Sequence, residues 1–143
     1  MKTLFIVLFS FLVAQSVFAQ VNGIPEGKKS AVVDNLTIGI KSDNAGLKSS
    51  SALVIYDLIN ESYLKSSDAS KAMIPLLEML HNGKTDQERI AAALALFELG
   101  NPIGIYRLRG VGEFDSNERV ASICKNLYVS YHKIHGTEYL TRL

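Results

Sequence analysis

The sequence predicts an all-α domain: three antiparallel helix pairs stacked side by side as a short α-solenoid. Three observations carry this expectation. From Ser30 onward apolar residues recur at helical spacing, and the one strand-like alternation is the brief run Ile103-Gly104-Ile105-Tyr106-Arg107. The segment Thr85 to Leu99 has a capping residue at its start, an unbroken Ala-rich apolar run from Ile90 to Phe97, and Gly100 at its end. The chain also resembles itself. Glu88-Arg89-Ile90-Ala91 recurs as Glu118-Arg119-Val120-Ala121, and Ala52 to Leu58 matches Ala93 to Leu99.

Residues 1–19 read as a secretory signal peptide. Lys2 supplies the positive start, Leu4 to Ala14 the apolar run, and Val17-Phe18-Ala19 a small-residue cleavage site before Gln20. The run, interrupted by Ser10, falls short of the roughly 20 apolar residues that span a bilayer. Cleavage after Ala19 is expected to release the protein into a periplasm or the extracellular space, with no membrane insertion afterwards. Residues 20–29 are polar and contain Gly23, Pro25 and Gly27, and read as a flexible lead-in. Residues 30–143 form the helical domain.

Within it, helices are expected over 30–42 and 44–60, over 68–82 and 86–99, and over 102–113 and 116–135. In the third of these, Ala72, Met73, Leu76, Leu77 and Leu80 share one face. Pro75 lacks an N–H and is tolerated only in a first turn, so it kinks this helix or places its start nearer Ala72. The fourth helix is apolar nearly all round, which puts it at the centre of the domain. No pair can bury its apolar face alone; stacking gives the middle pair two neighbours.

Composition narrows the partners. Of 15 Lys and Arg, one (Lys2) leaves with the leader, so 14 remain against 14 Asp and Glu. A chain with no net charge is not built for nucleic acid. The single cysteine, Cys124, excludes an internal disulfide, so stability must come from the core. Cys124 falls in a helical pattern and reads as a small buried residue. Two sequons, Asn35-Leu36-Thr37 and Asn60-Glu61-Ser62, have chemical meaning only in a glycosylating secretory pathway.

The middle pair carries a resemblance. Ala72-Met73-Ile74-Pro75-Leu76-Leu77-Glu78-Met79-Leu80, followed by Arg89-Ile90-Ala91-Ala92-Ala93-Leu94-Ala95-Leu96-Phe97-Glu98-Leu99-Gly100-Asn101-Pro102, resembles a HEAT-like repeat of the short type also seen in bilin-lyase-like proteins. The family pattern runs Arg, several Ala, Ala-Leu-Gly, Leu-Gly, Asp-Pro. This chain departs with Phe97 for Gly and Asn101 for Asp, and the flanking pairs match in outline only. The resemblance implies a protein-interaction module. Its alternative is a small-molecule or pigment-binding domain of the lyase-like class, with an apolar ligand in a groove between helices. In such repeats a basic residue early in each second helix meets an acidic loop residue. Here these are Lys48, Arg89 and Arg119, with Asp43, Asp86 and Asp115 as the acids of an inter-repeat ladder.

No catalytic, cofactor or metal constellation stands out, and the expected partner is another protein. His132 and His135 have metal-ligand spacing but no evident third ligand; as cations they suit a helix C-terminus before Gly136. Gly110-Val111-Gly112 lacks the strand and helix that a phosphate loop requires, and no Gly-x-Ser-x-Gly elbow occurs. Tyr128, Tyr131, His132 and Tyr139 make the C-terminal end aromatic and are the candidate interaction surface; the alternative is core packing under a docked tail.

Overall fold

The computed structural model describes residues 23–137. The leader read at residues 1–19, its cleavage site and Tyr139 lie outside the described residues. Six α-helices follow in order: α1 (Glu26–Ile40), α2 (Ala45–Asn60), α3 (Met73–Asn82), α4 (Asp86–Leu99), α5 (Pro102–Phe114) and α6 (Glu118–Ile134), with a 3-10 turn over Ser70–Ala72 before α3. The protein is a small all-helical domain whose helices pack in adjacent pairs, α1 with α2, α3 with α4, α5 with α6. Across the pairs, α2 packs on α4 and α4 on α6, while α1 touches α3 and α3 touches α5 more lightly. No described helix is long and apolar enough to cross a membrane.

Four of the six helices start on a local side-chain cap. The side chains of Asn44, Thr85, Asn101 and Asn117 accept the N–H groups of Leu47, Glu88, Ile103 and Val120, so four helix starts are capped. Asn101 therefore caps as an Asp would, and Pro102 sits at the first helical position, where its missing N–H costs nothing. This start draws the alternating run 103–107 into a helix. Pro75 is the third residue of α3, inside the first turn that needs no intrahelical N–H partner. The 3-10 turn carries the chain up to that start. Gly100, at φ 60°, closes α4 in the left-handed conformation that favours glycine.

Two boundaries differ from the sequence expectation by more than two residues. Helix α1 begins at Glu26, inside the segment read as a flexible lead-in. Lys29 holds this first turn by bridging Glu26 (2.7 Å) and Asp68 (3.5 Å). The third helix starts at Met73 rather than residue 68. The connection between α2 and α3 is anchored: Leu64 and Ala69 are buried, and the Ser66 hydroxyl donates to the Glu98 carbonyl at 3.1 Å.

The core is centred on α4, which packs against α2, α3, α5 and α6. Its Ala91, Ala92, Ala93 and Ala95 are buried, and small side chains let neighbouring helices approach closely. Leu96 fills the middle, with Leu76 and Leu80 of α3, Ile55 of α2 and Leu108 of α5, all fully buried. Each such side chain contributes about 1.5–3 kcal/mol of transfer free energy. The α1–α2 crossing is tight: a Cβ at Gly39 would lie 2.0 Å from the Ser51 hydroxyl.

Candidate functional site

Three features of the surface and seams are candidates. The first is the polar seam between helix pairs. Arg89, at the start of α4, donates Nε–H to the Leu80 carbonyl at 2.8 Å and clasps Asp115, in the turn before α6, with both terminal nitrogens. The guanidinium's hydrogen bonds hold the Asp115 carboxyl below the usual carboxylate range, against the opposing effect of burial. Asp115 also accepts the Asn117 N–H, and Asn117 donates its side-chain amide to Asp86 at 2.7 Å.

Lys48 occupies the equivalent position in α2 and approaches Glu88 at 3.9 Å, not Asp86. Glu88 is buried, with its carboxylate turned back to accept the Lys84 N–H at 2.9 Å, one residue before the helix cap, while the Thr85 hydroxyl accepts the Glu88 N–H. Asp43 and Arg119 are exposed and form no ion pair among the described residues. Of the six expected ladder residues, the structure thus joins Arg89 with Asp115 and sends Lys48 to a different acid. Asn117 and Glu88 went unassigned to this seam. The Thr85-x-x-Glu88 spacing was the signal for Glu88.

The second feature is the C-terminal aromatic cluster. Tyr131 packs edge-on to Phe97 at 6.4 Å and donates its hydroxyl to the Gly100 carbonyl at 3.1 Å. His132 is buried, with its ring edge-on to Tyr128 and Nδ1 against the Thr137 hydroxyl at 2.7 Å. These contacts join Tyr131 of α6 to the end of α4, and His132 is buried beside Tyr128 and Thr137. Thr137 and Gly136 close α6 by donating to the His132 and Lys133 carbonyls, with Gly136 left-handed at φ 65°. His135 stacks on Tyr131. Among the described residues no group of three or more His, Cys, Asp or Glu is placed to hold a metal ion. Cys124 is buried, and burial pushes its thiol up to about 12, far from a nucleophile's range.

The third feature was not assigned from the sequence. Helix α5 turns Ile103, Tyr106 and Phe114 outward, exposed by 59%, 71% and 84%. With Gly110 they share one face at i, i+3, i+7 and i+11. Arg107 lies on one flank. On the other, Arg109 pairs with Glu113 at 2.8 Å. The spacing is legible in the sequence, but a helical stripe does not announce whether it faces the core or water. Between the first two pairs, an open groove of about 300 Å³ is lined by Ile40, Pro75 and Met79 together with Lys41, Lys48, Glu78 and Asn82.

The fold and its surface define a small all-helical domain of six helices in adjacent pairs. Comparison with protein-family models, curated proteins and solved structures finds no match to the chain.

Proposed function

We propose that the chain is an exported, non-enzymatic protein-interaction module built as a short HEAT-like helical stack. The packing order α2 on α4 on α6 and the self-similarity of the chain support the stacked reading. The observation that carries the interaction reading is the apolar stripe on α5. Large apolar side chains scattered singly are ordinary on a surface; three aligned on one helix, with charge only on the flanks, are the pattern of a contact face.

The test compares capture by the tagged chain with capture by Tyr106→Ser/Phe114→Ser, after crosslinking in the compartment to which the protein is delivered. A protein recovered in stoichiometric amount by the first and lost by the second supports the module. Identical recovery with both overturns it. Amino-terminal sequencing of the released protein should begin at Gln20; retention of Met1 would remove the export reading.

A second reading is a small-molecule site in the groove between the first two pairs. Its volume sits at the lower end of ligand pockets, and its lining mixes Ile40, Pro75 and Met79 with the polar Lys41, Lys48, Glu78 and Asn82. Met79→Trp would fill this groove. Loss of a co-purifying ligand, seen by native mass spectrometry, in that variant alone would favour this reading over the first.

A further inference from the structure

We propose that the α5 stripe is the contact face of a weak symmetric dimer, and that its occupant is a second copy of this chain. This rests on reading the stripe as a protein-binding surface and names the partner.

Gly110 is the telling residue. Glycine is among the least favourable residues inside a helix. Among the described residues nothing uses its missing side chain: a Cβ built there meets no atom of them within 4 Å. A glycine amid exposed apolar residues is what close approach by another backbone or a large ring requires. The stripe supplies such a ring itself. When two α5 helices cross antiparallel about a two-fold axis, Tyr106 of each lies over the partner's Gly110, and Ile103 over the partner's Phe114. The midpoints of both pairings coincide to within one residue, near Leu108, so one axis satisfies both. That self-complementarity is the requirement of an isologous interface.

The size of the face fits a reversible dimer. Tyr and Phe rings bury about 150–250 Å² each, so four rings give about 600–1,000 Å², and Ile103 adds to this. Stable interfaces begin near 1,200 Å², and weak, transient ones lie below. Arg107 and the Arg109–Glu113 pair stay at the wet rim.

Sedimentation equilibrium of the full chain as purified, from about 1 to 300 μM, provides the test. The expected result is a monomer–dimer equilibrium with Kd in the micromolar range, of the order suggested by so small an interface. Tyr106→Ser/Phe114→Ser should abolish it. Gly110→Leu is the decisive variant, because the monomer has open space there. It should weaken the dimer at least tenfold while leaving the melting temperature of the dilute monomer unchanged or raised.

A monomeric mass throughout, or a dimer indifferent to Gly110→Leu, overturns the proposal. In a monomer, protection of Tyr106 and Phe114 from hydroxyl-radical oxidation would place another segment of the chain on the stripe and likewise overturn it. If the chain is monomeric yet stripe variants lose a captured foreign protein, the interaction reading stands and the self-association falls. If neither binding occurs, both fall.

Discussion

The junctions between helix pairs use equivalent positions and close differently. Between the second and third pairs, Arg89 reaches Asp115 with a forked double contact and caps the Leu80 carbonyl as well. Between the first and second, Lys48 reaches Glu88 with a single contact at 3.9 Å. A guanidinium is a rigid planar fork that matches a carboxylate; an ammonium is a hydrated point on a flexible stem. The consequence is visible in the packing. The Lys48 junction leaves an open groove lined by Lys48 itself, whereas the Arg89–Asp115 side chains are only 14–15% exposed. One junction is a clasp, the other a hinge-like opening where solvent enters.

The largest expected effect breaks the clasp. Arg89→Ala removes three hydrogen bonds and leaves a half-buried carboxylate and a carbonyl to find water. It should destabilise the protein by about 2–4 kcal/mol, seen as a lower urea midpoint at unchanged slope. A melting temperature equal to the parent's would reduce the seam to decoration.

How much of this was legible can be read from particular residues. Arg89 and Asp115 were both nominated from the sequence, because repeat spacing puts them early in a second helix and in the adjoining turn. Their pairing with each other is a matter of reach between elements, which spacing along the chain does not encode. Glu88 shows the same limit. Its Thr-x-x-Glu spacing is local and readable, yet its encounter with Lys48 depends on how α2 settles on α4. The six helices were legible because caps, apolar periodicity and Gly100 all act within one or two turns. The early start of α1 was not, since Lys29 is held partly by Asp68, thirty-nine residues away. For Tyr131 and His132 the sequence leaves two readings, a free side of an end helix or core packing. The Gly100 carbonyl and Phe97 draw Tyr131 to the end of α4, and His132 is buried with its ring on Tyr128 and its Nδ1 on Thr137.

A smaller effect sharpens the contrast through acid. Asp115 keeps its carboxylate in the folded state below the value it has unfolded, near 3.9. On acidification the unfolded chain takes up that proton first. The clasp's contribution is therefore present above about pH 4 and lost as pH falls through the folded value. Asp115→Asn should flatten this part of the stability–pH curve, and Lys48→Ala should not change it.

The alkaline side tests how dry the clasp is. Cys124 lies close enough to Arg89 and Asp115 to feel both charges, and burial dominates in raising its thiol to about 12. Between the unfolded value, about 8.5, and that folded value, the unfolded state binds fewer protons. Stability is thus full below about pH 8.5 and declines as pH rises. Cys124→Ala should remove that share of the decline. In Arg89→Ala the thiol should react faster with a disulfide reagent at pH 8, because the seam above it is opened; an unchanged rate would mean the clasp does not keep water out.

The smallest effect is expected at the open junction. Lys48→Ala removes one long contact, partly screened by water, and should cost no more than about 1 kcal/mol. The informative substitution is Lys48→Arg, which places at the first junction the group that closes the second. If side-chain chemistry alone sets the difference, the new guanidinium should fork onto Glu88, gain a few tenths of a kcal/mol and narrow the groove. Each acid already accepts one backbone N–H, Glu88 from Lys84 and Asp115 from Asn117. At Glu88, however, the oxygen so engaged, Oε2, is also the one that faces Lys48, whereas Asp115 presents both oxygens to Arg89. The acid, and not the base, is then the limiting partner, and Lys48→Arg should leave the urea midpoint within error of the parent. A gain above about 1 kcal/mol would show instead that the lysine is what keeps the groove open.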